Sequence, residues 1–313
     1  MAIRIILNPN ADLGHGADRL ALIEETASAL WQQPWRIVQT ERPGHAYELA
    51  ADAIAAGCDT LVAAGGDGTI HEVVNAVFLN GHADRIRLGI VPLGTGNDFA
   101  HAMGIPMNDV PGALAIIAGG VVRLADLAEV IDDHGRREVF ENNFGIGFDA
   151  NVVIRTSEIT HLRGFVKYFV GVLTTLYKDF DPIQLRLRFD DEEVNQEVLF
   201  LSLGLGPRHG GGFMLTPGAL HEDDLVDSCT VSMIGRLKAV SLLSAAMKGT
   251  HITEPIVDMR RNREIIISAD QPLPIHIDGE VYATLADNVR QLQITSIPSV
   301  LRVLVEDVSG TNR

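Results

Sequence analysis

The sequence predicts an α/β domain built on a parallel sheet, followed by a second domain that is rich in β-strands. Up to about Ala125, short apolar runs alternate with helical patterns, as they do in βαβ units. Beyond Ala125 the apolar runs follow one another with few helical patterns between them. Two runs of the first part lead directly into glycine-rich turns. We therefore divide the chain into domains of residues 1–125 and 126–313, and the last strand is a candidate to pack back on the first domain.

Each element of the first domain follows from apolar periodicity and from the turn residues that interrupt it. The expected strands cover residues 3–7, 36–40, 60–64 and 87–91. The expected helices cover residues 18–31, 45–56, 69–79, 97–103 and 113–118. Because helices connect the strands, we expect a parallel sheet flanked by helices, which binds ligands at the carboxyl ends of its strands.

The second domain has a pattern that is typical of an antiparallel sandwich. The expected strands cover residues 139–144, 184–189, 198–203, 226–233, 264–268, 275–277 and 292–296. Two helices are expected at residues 151–178 and 237–248. The acidic stretch 190–193 is expected to be a solvated hairpin tip, and residues 204–217 a long loop rich in glycine and proline.

The charge of the chain limits its partners. With 25 Lys and Arg against 41 Asp and Glu, the formal net charge is −16, which argues against nucleic acid and against attraction of the whole surface to anionic lipid. The two cysteines, Cys58 and Cys229, lack a metal-ligand spacing and are expected to be reduced thiols. The first apolar run is short and contains Arg4, unlike a signal peptide, and no uncharged apolar run reaches the ~20 residues of a spanning helix. We expect a cytoplasmic protein.

The most informative turn is Gly-Gly-Asp-Gly-Thr at residues 65–69, between an expected strand and an expected helix. Glycines let the backbone approach an anion closely, and the N–H groups at the start of a helix point toward it. Asp67 can meet a metal ion or a substrate hydroxyl there. Residues 92–100 repeat the arrangement after the next strand, so the two turns could face each other across one phosphate chain. The simpler interpretation of each turn is a helix cap.

These two stretches resemble the diacylglycerol kinase catalytic family, which contains bacterial lipid kinases as well as sphingosine and ceramide kinases. Other stretches resemble the signatures of that family in the expected order. They are Asn8 with Pro9, Thr40 with residues 44–46, residues 142–150, residues 223–227 and residues 278–280. The resemblance covers roughly residues 1–305 of the chain.

The resemblance implies a nucleotide-binding domain like that of NAD kinases, a sandwich-like second domain, and an active cleft between them. It implies that ATP, with Mg²⁺, phosphorylates a lipid hydroxyl, most simply that of diacylglycerol. The partners would then be ATP and a membrane lipid, reached by transient peripheral contact with the membrane. Homodimers are common in the family, and the sequence leaves the oligomeric state open.

The resemblance also assigns roles to residues. Those implied to contact ATP are Asn8, Thr40, Gly65, Gly66, Asp67, Gly68, Thr69, Ile70, His71, Gly94, Thr95, Asn97 and Asp98. Asp223 would bind a structural Mg²⁺ through its carboxylate, together with the main-chain carbonyls of Leu220 and Leu225. Glu280 would be the general base on the acceptor hydroxyl, with Asp67 as the alternative. Asp98 and Asp126 would help to hold catalytic Mg²⁺ or would brace the loops.

The sequence departs from the family pattern in three places. Asp224 stands where the family has Gly, and Asp tolerates a positive φ better than most residues do. His101 stands where the family usually has Arg, and the opening loop at residues 8–16 lacks the usual Ser-Gly-Lys composition. Candidates to replace the missing positive charge are Arg19, Arg42, Arg163 and Lys167.

Several alternatives stay open at the level of sequence. An NAD kinase or a sugar-phosphate kinase would use a similar glycine turn, and a nucleotide-binding regulator with weak catalysis would tolerate the departures. Residues 161–180 either guide a lipid from the membrane or pack an apolar face on the sandwich, and packing is the simpler interpretation. The glycine-rich stretch 208–213 is either a mobile gate or a plain surface loop.

Overall fold

The structure is a computed structural model that describes residues 2–11, 16–159, 162 and 164–307. The chain forms two compact units. Unit 1 consists of residues 1–125 and 299–313, and unit 2 of residues 126–298. Among the residues described, no helix combines the length and the apolar character that crossing a membrane requires.

Unit 1 contains a parallel sheet. Its strands are β1 (Ile3–Leu7), β2 (Trp35–Gln39), β3 (Thr60–Gly65) and β4 (Arg87–Pro92). They lie in the order β4-β3-β1-β2, and all three pairings are parallel. Every residue of β3 is buried, as expected for a central strand of a parallel sheet. The predicted α/β class of the N-terminal part is thereby confirmed.

Helices connect the strands of unit 1. They are α1 (Leu20–Leu30), α2 (His45–Ala55), α3 (Asp67–Leu79), α4 (Asp98–Ala102) and α5 (Val110–Gly119), with a 3₁₀ turn at Gly16–Arg19 before α1. Helix α5 shows how local chemistry sets the ends. The Asp109 carboxylate accepts the N–H of Gly112 at 2.9 Å, and Gly120 closes the helix in the left-handed region at φ 68°.

Unit 2 is rich in antiparallel strands. The strands after β4 are β5 (Val122–Asp132), β6 (Arg137–Phe140), β7 (Asn143–Gly147), β8 (Ile183–Phe189), β9 (Glu192–Gly204), β10 (Val226–Ser232), β11 (Val257–Asn262), β12 (Glu264–Ala269), β13 (Ile275–Ile277), β14 (Glu280–Ala283) and β15 (Gln291–Leu304). The sheet runs in the order β14-β13-β7-β9-β8-β12-β15, and β10 pairs with β9 and β11. Strand β8 alternates buried and more exposed residues, so one of its faces lies on the core. The predicted β-rich second part is confirmed.

The last strand serves both units. Its first residues pair with β12 inside unit 2, for example Ile294 with Ile265. Its last residues belong to unit 1, where Arg302 and Val303 pair in parallel with Arg87 and Leu88 of β4.

Unit 2 also contains the helices α6 (Phe148–Glu158), α7 (Gly164–Lys178) and α8 (Arg236–Ala246). The prediction of one helix over residues 151–178 is wrong. Helix α6 ends because Ile159 takes an extended backbone conformation, with φ −84° and ψ 109°. His161 and Arg163 lie outside the described residues, so the start of the stretch 161–180 and one candidate cation are not placed.

Helix α7 has two apolar faces. Val172 and Leu176 are buried in a core that also contains Phe148 of α6, which agrees with the packing interpretation for that face. The other face carries an apolar stripe, which we define as Val166, Phe169, Leu173 and Tyr177. These four side chains are between 49% and 82% exposed and recur every three or four residues.

The predicted strands of the second domain also need correction. The single strand expected at residues 139–144 is two strands, β6 and β7, because the Asp278 carboxylate takes the main-chain N–H groups of Glu141 and Asn142 where the chain turns. Three strands were not expected at all, namely β5, β11 and β14. In β11, charged residues hide the strand pattern, and its partner β10 holds it in the sheet.

Each unit contains one free, buried cysteine. Cys58 lies in unit 1, and Cys229 lies on β10 in unit 2. Burial raises the pKa of the Cys229 thiol to about 12, and its Sγ lies 3.6 Å from Nε2 of His251. Cys229 is therefore an unreactive thiol in the folded chain.

Candidate functional site

The two glycine turns of unit 1 lie against each other. Strands β3 and β4 are neighbours, and the N–H of Leu93 donates to the carbonyl of Gly65 at 2.8 Å. A Cβ atom built on Gly94 would lie 2.6 Å from the Cα of Gly66. No side chain fits at residue 94 while the turns keep this contact. The two turns thus touch through their backbones, and a phosphate chain bound between them stays a prediction.

Asp67 ties the first turn to the second. Its Oδ2 accepts the N–H of Asn97 at 2.8 Å, and its Oδ1 accepts the N–H of Asp98 at 2.9 Å. Asn97 has a positive φ of 47°, and its side-chain amide donates to the carbonyl of Gly94 at 2.7 Å. The carboxylate at the start of α3 thus fixes the start of α4, and both oxygens of Asp67 accept main-chain N–H groups.

The opening strand and the next strand bring two more predicted residues to this end of the sheet. Asn8 follows β1, and its side-chain amide donates to Oγ of Thr69 at 3.2 Å. The main-chain N–H of Asn8 donates to the carbonyl of Ala64. Thr40 follows β2, and its main-chain N–H donates to the carbonyl of Leu7. These contacts lie at the carboxyl ends of parallel strands, where the sequence placed the ligand.

The predicted ATP contacts differ in exposure. Thr95 is exposed, and Gly66, Asp67 and Gly68 are partly exposed. The others in these turns and the first part of α3 are buried, namely Gly65, Thr69, Ile70, His71, Asn97 and Asp98, apart from the partly exposed Gly94. In this structure the accessible part of the site is therefore mostly backbone and the hydroxyl of Thr95.

A further residue of α3 has a role that sequence reasoning did not find. The Glu72 carboxylate accepts the N–H groups of Gly44 at 2.7 Å and of Ala46 at 2.8 Å, which lie at the start of α2. It caps α2 from a neighbouring helix, since no side chain of α2 does so. The signal in the sequence was a Gly-His-Ala start without a capping Ser, Thr, Asp or Asn.

In unit 2, Asp278 fixes the turn that presents Glu280. Its carboxylate accepts the N–H groups of Glu141, Asn142 and Asn143 at 3.2, 3.1 and 2.8 Å. Asp278 and Gly279 both have a positive φ, 48° and 82°, so the chain reverses tightly between β13 and β14. Glu280, the predicted base, follows with an exposed side chain.

A buried polar cluster lies under the same part of unit 2. Oδ2 of Asp149 is 3.3 Å from Nε2 of His276, and Oγ of Ser202 is 3.2 Å from Nδ1 of His209. Burial alone would raise the pKa of Asp149, but its polar neighbours, His276 first among them, outweigh burial, and the pKa lies below its ordinary value. Burial lowers the pKa of His209 to about 4, so this imidazole is neutral at physiological pH. The sequence analysis predicted neither the contact between Asp149 and His276 nor the contact between Ser202 and His209.

The glycine-rich stretch 208–213 is anchored at both ends. His209 and Phe213 are buried and exchange two main-chain hydrogen bonds, of 2.7 and 3.0 Å. Nε2 of His209 also lies 2.9 Å from the hydroxyl of Thr216. The stretch is therefore a tight turn with a buried base, which fits neither a mobile gate along its whole length nor a plain surface loop.

The turn before β10 tests the implied structural Mg²⁺ site. Oδ1 of Asp223 accepts the N–H of Leu225 at 3.2 Å, and its Oδ2 pairs with the guanidinium of Arg261. Both carboxylate oxygens have partners from the chain, and one partner is a cation. With a guanidinium on its carboxylate, Asp223 does not fit as a ligand of a magnesium ion in this turn.

Two predictions about backbone and bracing apply to the same turn. Asp224 has a positive φ of 64°, as its place in the family pattern suggested. Its N–H donates to Oδ2 of Asp126 at 2.8 Å, so the buried Asp126 braces this turn. Asp227 is buried beside Asp223, and burial raises its pKa to about 6 despite Arg261.

The structure describes the surroundings of two side chains that bear on the missing positive charge, Arg42 and His101. Arg42 donates to both oxygens of Glu48, at 2.8 and 2.7 Å, on the exposed surface of α2. His101 is exposed in the last turn of α4. The backbone N–H groups at the start of α3 can bind an anion without help from either side chain.

The chain matches two family models that together span most of it. Residues 2–130 match the diacylglycerol kinase catalytic domain, and residues 143–305 match the YegS C-terminal NAD kinase beta sandwich-like domain. A protein named diacylglycerol kinase from Mycobacterium tuberculosis (strain ATCC 25618 / H37Rv) is 30% identical over 260 residues, which cover 83% of this chain and 81% of that protein. The chain belongs to the diacylglycerol kinase family.

Other members of the family match over nearly the whole length. A protein named "Probable lipid kinase YegS-like" from Xanthomonas oryzae pv. oryzae (strain MAFF 311018) is 32% identical, with 96% of this chain and 94% of that protein covered. A crystal structure of a diacylglycerol kinase from Bacillus anthracis str. Sterne superposes with a TM-score of 0.71 at 20% identity, covering 98% of this chain and 97% of that one. The kinase class predicted from the sequence is confirmed by the family, and the fold by the structure.

We predict that Gly94→Ala lowers the free energy of unfolding of unit 1 by about 1–3 kcal/mol, because the new methyl group overlaps the Gly66 backbone. The measurement is urea denaturation. The matched control is Gly119→Ala near the end of α5, where a Cβ meets nothing within 4 Å. The control should be neutral or gain up to about 1 kcal/mol from helix propensity. Equal stability of the two variants would contradict the contact.

Proposed function

We propose that this kinase transfers the γ-phosphoryl group of ATP to the hydroxyl of a membrane lipid, with diacylglycerol as the first candidate. The observation that carries the proposal is the backbone contact between Gly66 and Gly94, which makes one site of two glycine turns. The names of the relatives support the lipid acceptor: one is called a diacylglycerol kinase and another a lipid kinase.

The phosphate groups would bind at the start of α3. The N–H groups in the first turn of a helix have no partner within the helix, and Asp67 and Gly68 begin α3 there. The glycines on both sides leave room for phosphate oxygens to reach those N–H groups. Phosphoryl transfer needs mainly positioning and neutralisation of charge, and rigid backbone donors supply part of both. Asn8, Thr40 and Thr95 would complete the contacts to the nucleotide.

A magnesium ion would bind with the nucleotide. Mg²⁺ prefers oxygen ligands and usually takes one or two carboxylates in addition to phosphates and water. Asp67 and Asp98 would hold it, because a carboxylate oxygen has two lone-pair sites and can bind an ion while it also accepts an N–H, as both oxygens of Asp67 do. When bound, the ion would neutralise charge on the phosphate oxygens. Asp223 has no part in this, since its Oδ2 already pairs with a cation, the guanidinium of Arg261.

Glu280 is the better candidate for the general base. A base must reach the acceptor hydroxyl and take its proton. The Glu280 side chain is exposed, and the turn before it is fixed by three N–H groups on Asp278. Asp67 holds two N–H groups of the second glycine turn, and protonation of its carboxylate would weaken that brace. We therefore assign the base to Glu280 and the positioning of both turns to Asp67.

The apolar stripe of α7 would carry the transient contact with the membrane. An amphipathic helix that lies in a membrane interface presents an apolar face, often with basic residues beside it. The stripe has four exposed apolar side chains, and Lys178 lies exposed at its end. The chain as a whole is acidic, so the contact would depend on apolar burial more than on charge.

We predict that the purified protein transfers labelled phosphate from ATP to diacylglycerol in mixed micelles, in a reaction that EDTA stops. The panel of acceptors should include a ceramide, sphingosine, NAD and a sugar phosphate. Transfer to NAD or to the sugar phosphate alone would replace the lipid proposal by another kinase. Binding of ATP without transfer to any acceptor would favour a nucleotide-binding regulator.

We predict that Glu280→Gln lowers kcat at least about 100-fold and leaves ATP affinity within about twofold, because it removes only the base. Asp67→Asn should weaken ATP binding and lower kcat together, because it loosens both turns. The matched control is Glu193→Gln at the exposed hairpin tip between β8 and β9, which should behave as wild type. An active Glu280→Gln enzyme would remove Glu280 from the proposal.

We predict that Leu173→Ser weakens binding to diacylglycerol-containing vesicles about tenfold, because it takes one large apolar side chain out of the stripe. Vesicle co-sedimentation measures the binding. The control is Leu30→Ser, which changes an exposed leucine of α1 in unit 1. If the two variants bind vesicles equally, the stripe is not the membrane contact.

A further inference from the structure

The turn before β10 contains an arginine where the family resemblance implies a metal ion. Asp223 is the residue to which a structural Mg²⁺ was assigned, and in the structure its Oδ2 pairs with Nη2 of Arg261. Its Oδ1 accepts the N–H of Leu225 at 3.2 Å. A magnesium ion needs ligand oxygens at about 2.0–2.1 Å in octahedral geometry. A guanidinium on the same carboxylate would both occupy the ligand and repel the ion.

The sheet itself sets the position of Arg261. Strands β10 and β11 are antiparallel, and Arg261 lies directly opposite Asp227 in their register. Its Nε lies 3.4 Å from Oδ2 of Asp227, while Nη2 reaches Asp223. One guanidinium therefore spans two carboxylates, one of them buried. The rigid fork of an arginine suits this geometry better than a lysine ammonium would.

Other groups of the chain hold the rest of the turn. The buried residue Asp126 accepts the N–H of Asp224 through its carboxylate at 2.8 Å, and its own N–H donates to the carbonyl of His221 at 2.8 Å. Two points of the turn are thus fastened to one residue of β5. Asp224 has a left-handed backbone conformation, and the hydrogen bond from its N–H to Asp126 holds it there. Groups of the protein therefore accept a main-chain N–H of the turn and place a positive charge beside the Asp223 carboxylate.

We propose that Arg261 is the permanent cation of this turn and takes the place of a structural metal ion. The folding of unit 2 then needs no divalent metal, and any requirement for Mg²⁺ belongs to the nucleotide. The proposal concerns stability and does not rest on the proposed function, so a failed kinase assay leaves it intact.

The wild-type protein gives the first test. Thermal unfolding is recorded without nucleotide in EDTA and in 5 mM MgCl₂ (about the excess needed to fill a millimolar site), at matched ionic strength. We expect the two Tm values to agree within about 1 °C, and elemental analysis of the dialysed protein to find no stoichiometric magnesium. A saturable rise of about 4 °C or more with Mg²⁺, or one bound magnesium per chain, would overturn the proposal.

Variants of two arginines on neighbouring positions give the second test. Arg261→Ala frees the carboxylates of Asp223 and Asp227, so in EDTA its Tm should fall by about 4 °C or more, and Mg²⁺ should restore part of the loss. The matched control is Arg263→Ala. The Arg263 side chain is 73% exposed, and its Nη2 lies 3.9 Å from Oδ2 of Asp224. It should stay within about 1 °C of wild type in both buffers. A wild-type Tm for Arg261→Ala in EDTA would contradict the role of Arg261.

A milder change keeps the test valid if Arg261→Ala does not fold. Arg261→Lys retains a positive charge but loses the fork that spans two carboxylates, so its Tm in EDTA should lie below the wild-type value and respond to Mg²⁺ by less than about 2 °C. A rise in the Tm of Arg261→Lys of about 4 °C or more with Mg²⁺ would also contradict the proposal.

Discussion

The contact between Gly66 and Gly94 is the constraint on which the site in unit 1 depends. Neighbouring parallel strands lie about 4.8 Å apart, so two turns that leave the same edge must either diverge or touch through bare backbone. Here they touch, because a Cβ on Gly94 would lie 2.6 Å from the Cα of Gly66. Only this closeness lets the Asp67 carboxylate reach the N–H groups of Asn97 and Asp98. The two glycine turns are thus held together by their backbones and by Asp67, at the end of the sheet where we propose that phosphate binds.

Several acidic side chains of the protein organise its own backbone. Main-chain N–H groups from elsewhere in the fold donate to Asp67, Glu72, Asp126, Asp190 and Asp278. A carboxylate in such a place satisfies donors that a turn would otherwise leave open, and it does so more strongly than a neutral acceptor. Part of the net charge of −16 is therefore structural.

The sequence was sufficient for features that depend on local pattern and insufficient for those set by distant residues. The parallel strands of unit 1 could be placed because apolar runs and glycine turns mark them. The division between β6 and β7 could not, since it depends on Asp278, more than a hundred residues away. Strand β11 was missed because its charges mask a pairing that β10 imposes. In the site, the residue types were predictable from motifs, whereas the partners of Asp67 and Asp223 appear only once the chain is folded.

The two buried thiols allow the unfolding of each unit to be followed separately by chemical modification. Cys58 lies in unit 1 and Cys229 in unit 2, and both side chains are buried in the native state. A pulse of alkylating agent would modify each cysteine only in molecules whose unit is open at that moment. Mass spectrometry of the two peptides would then time the opening of each unit separately, without a label or an engineered residue. The same chemistry would show whether a ligand protects one unit or both.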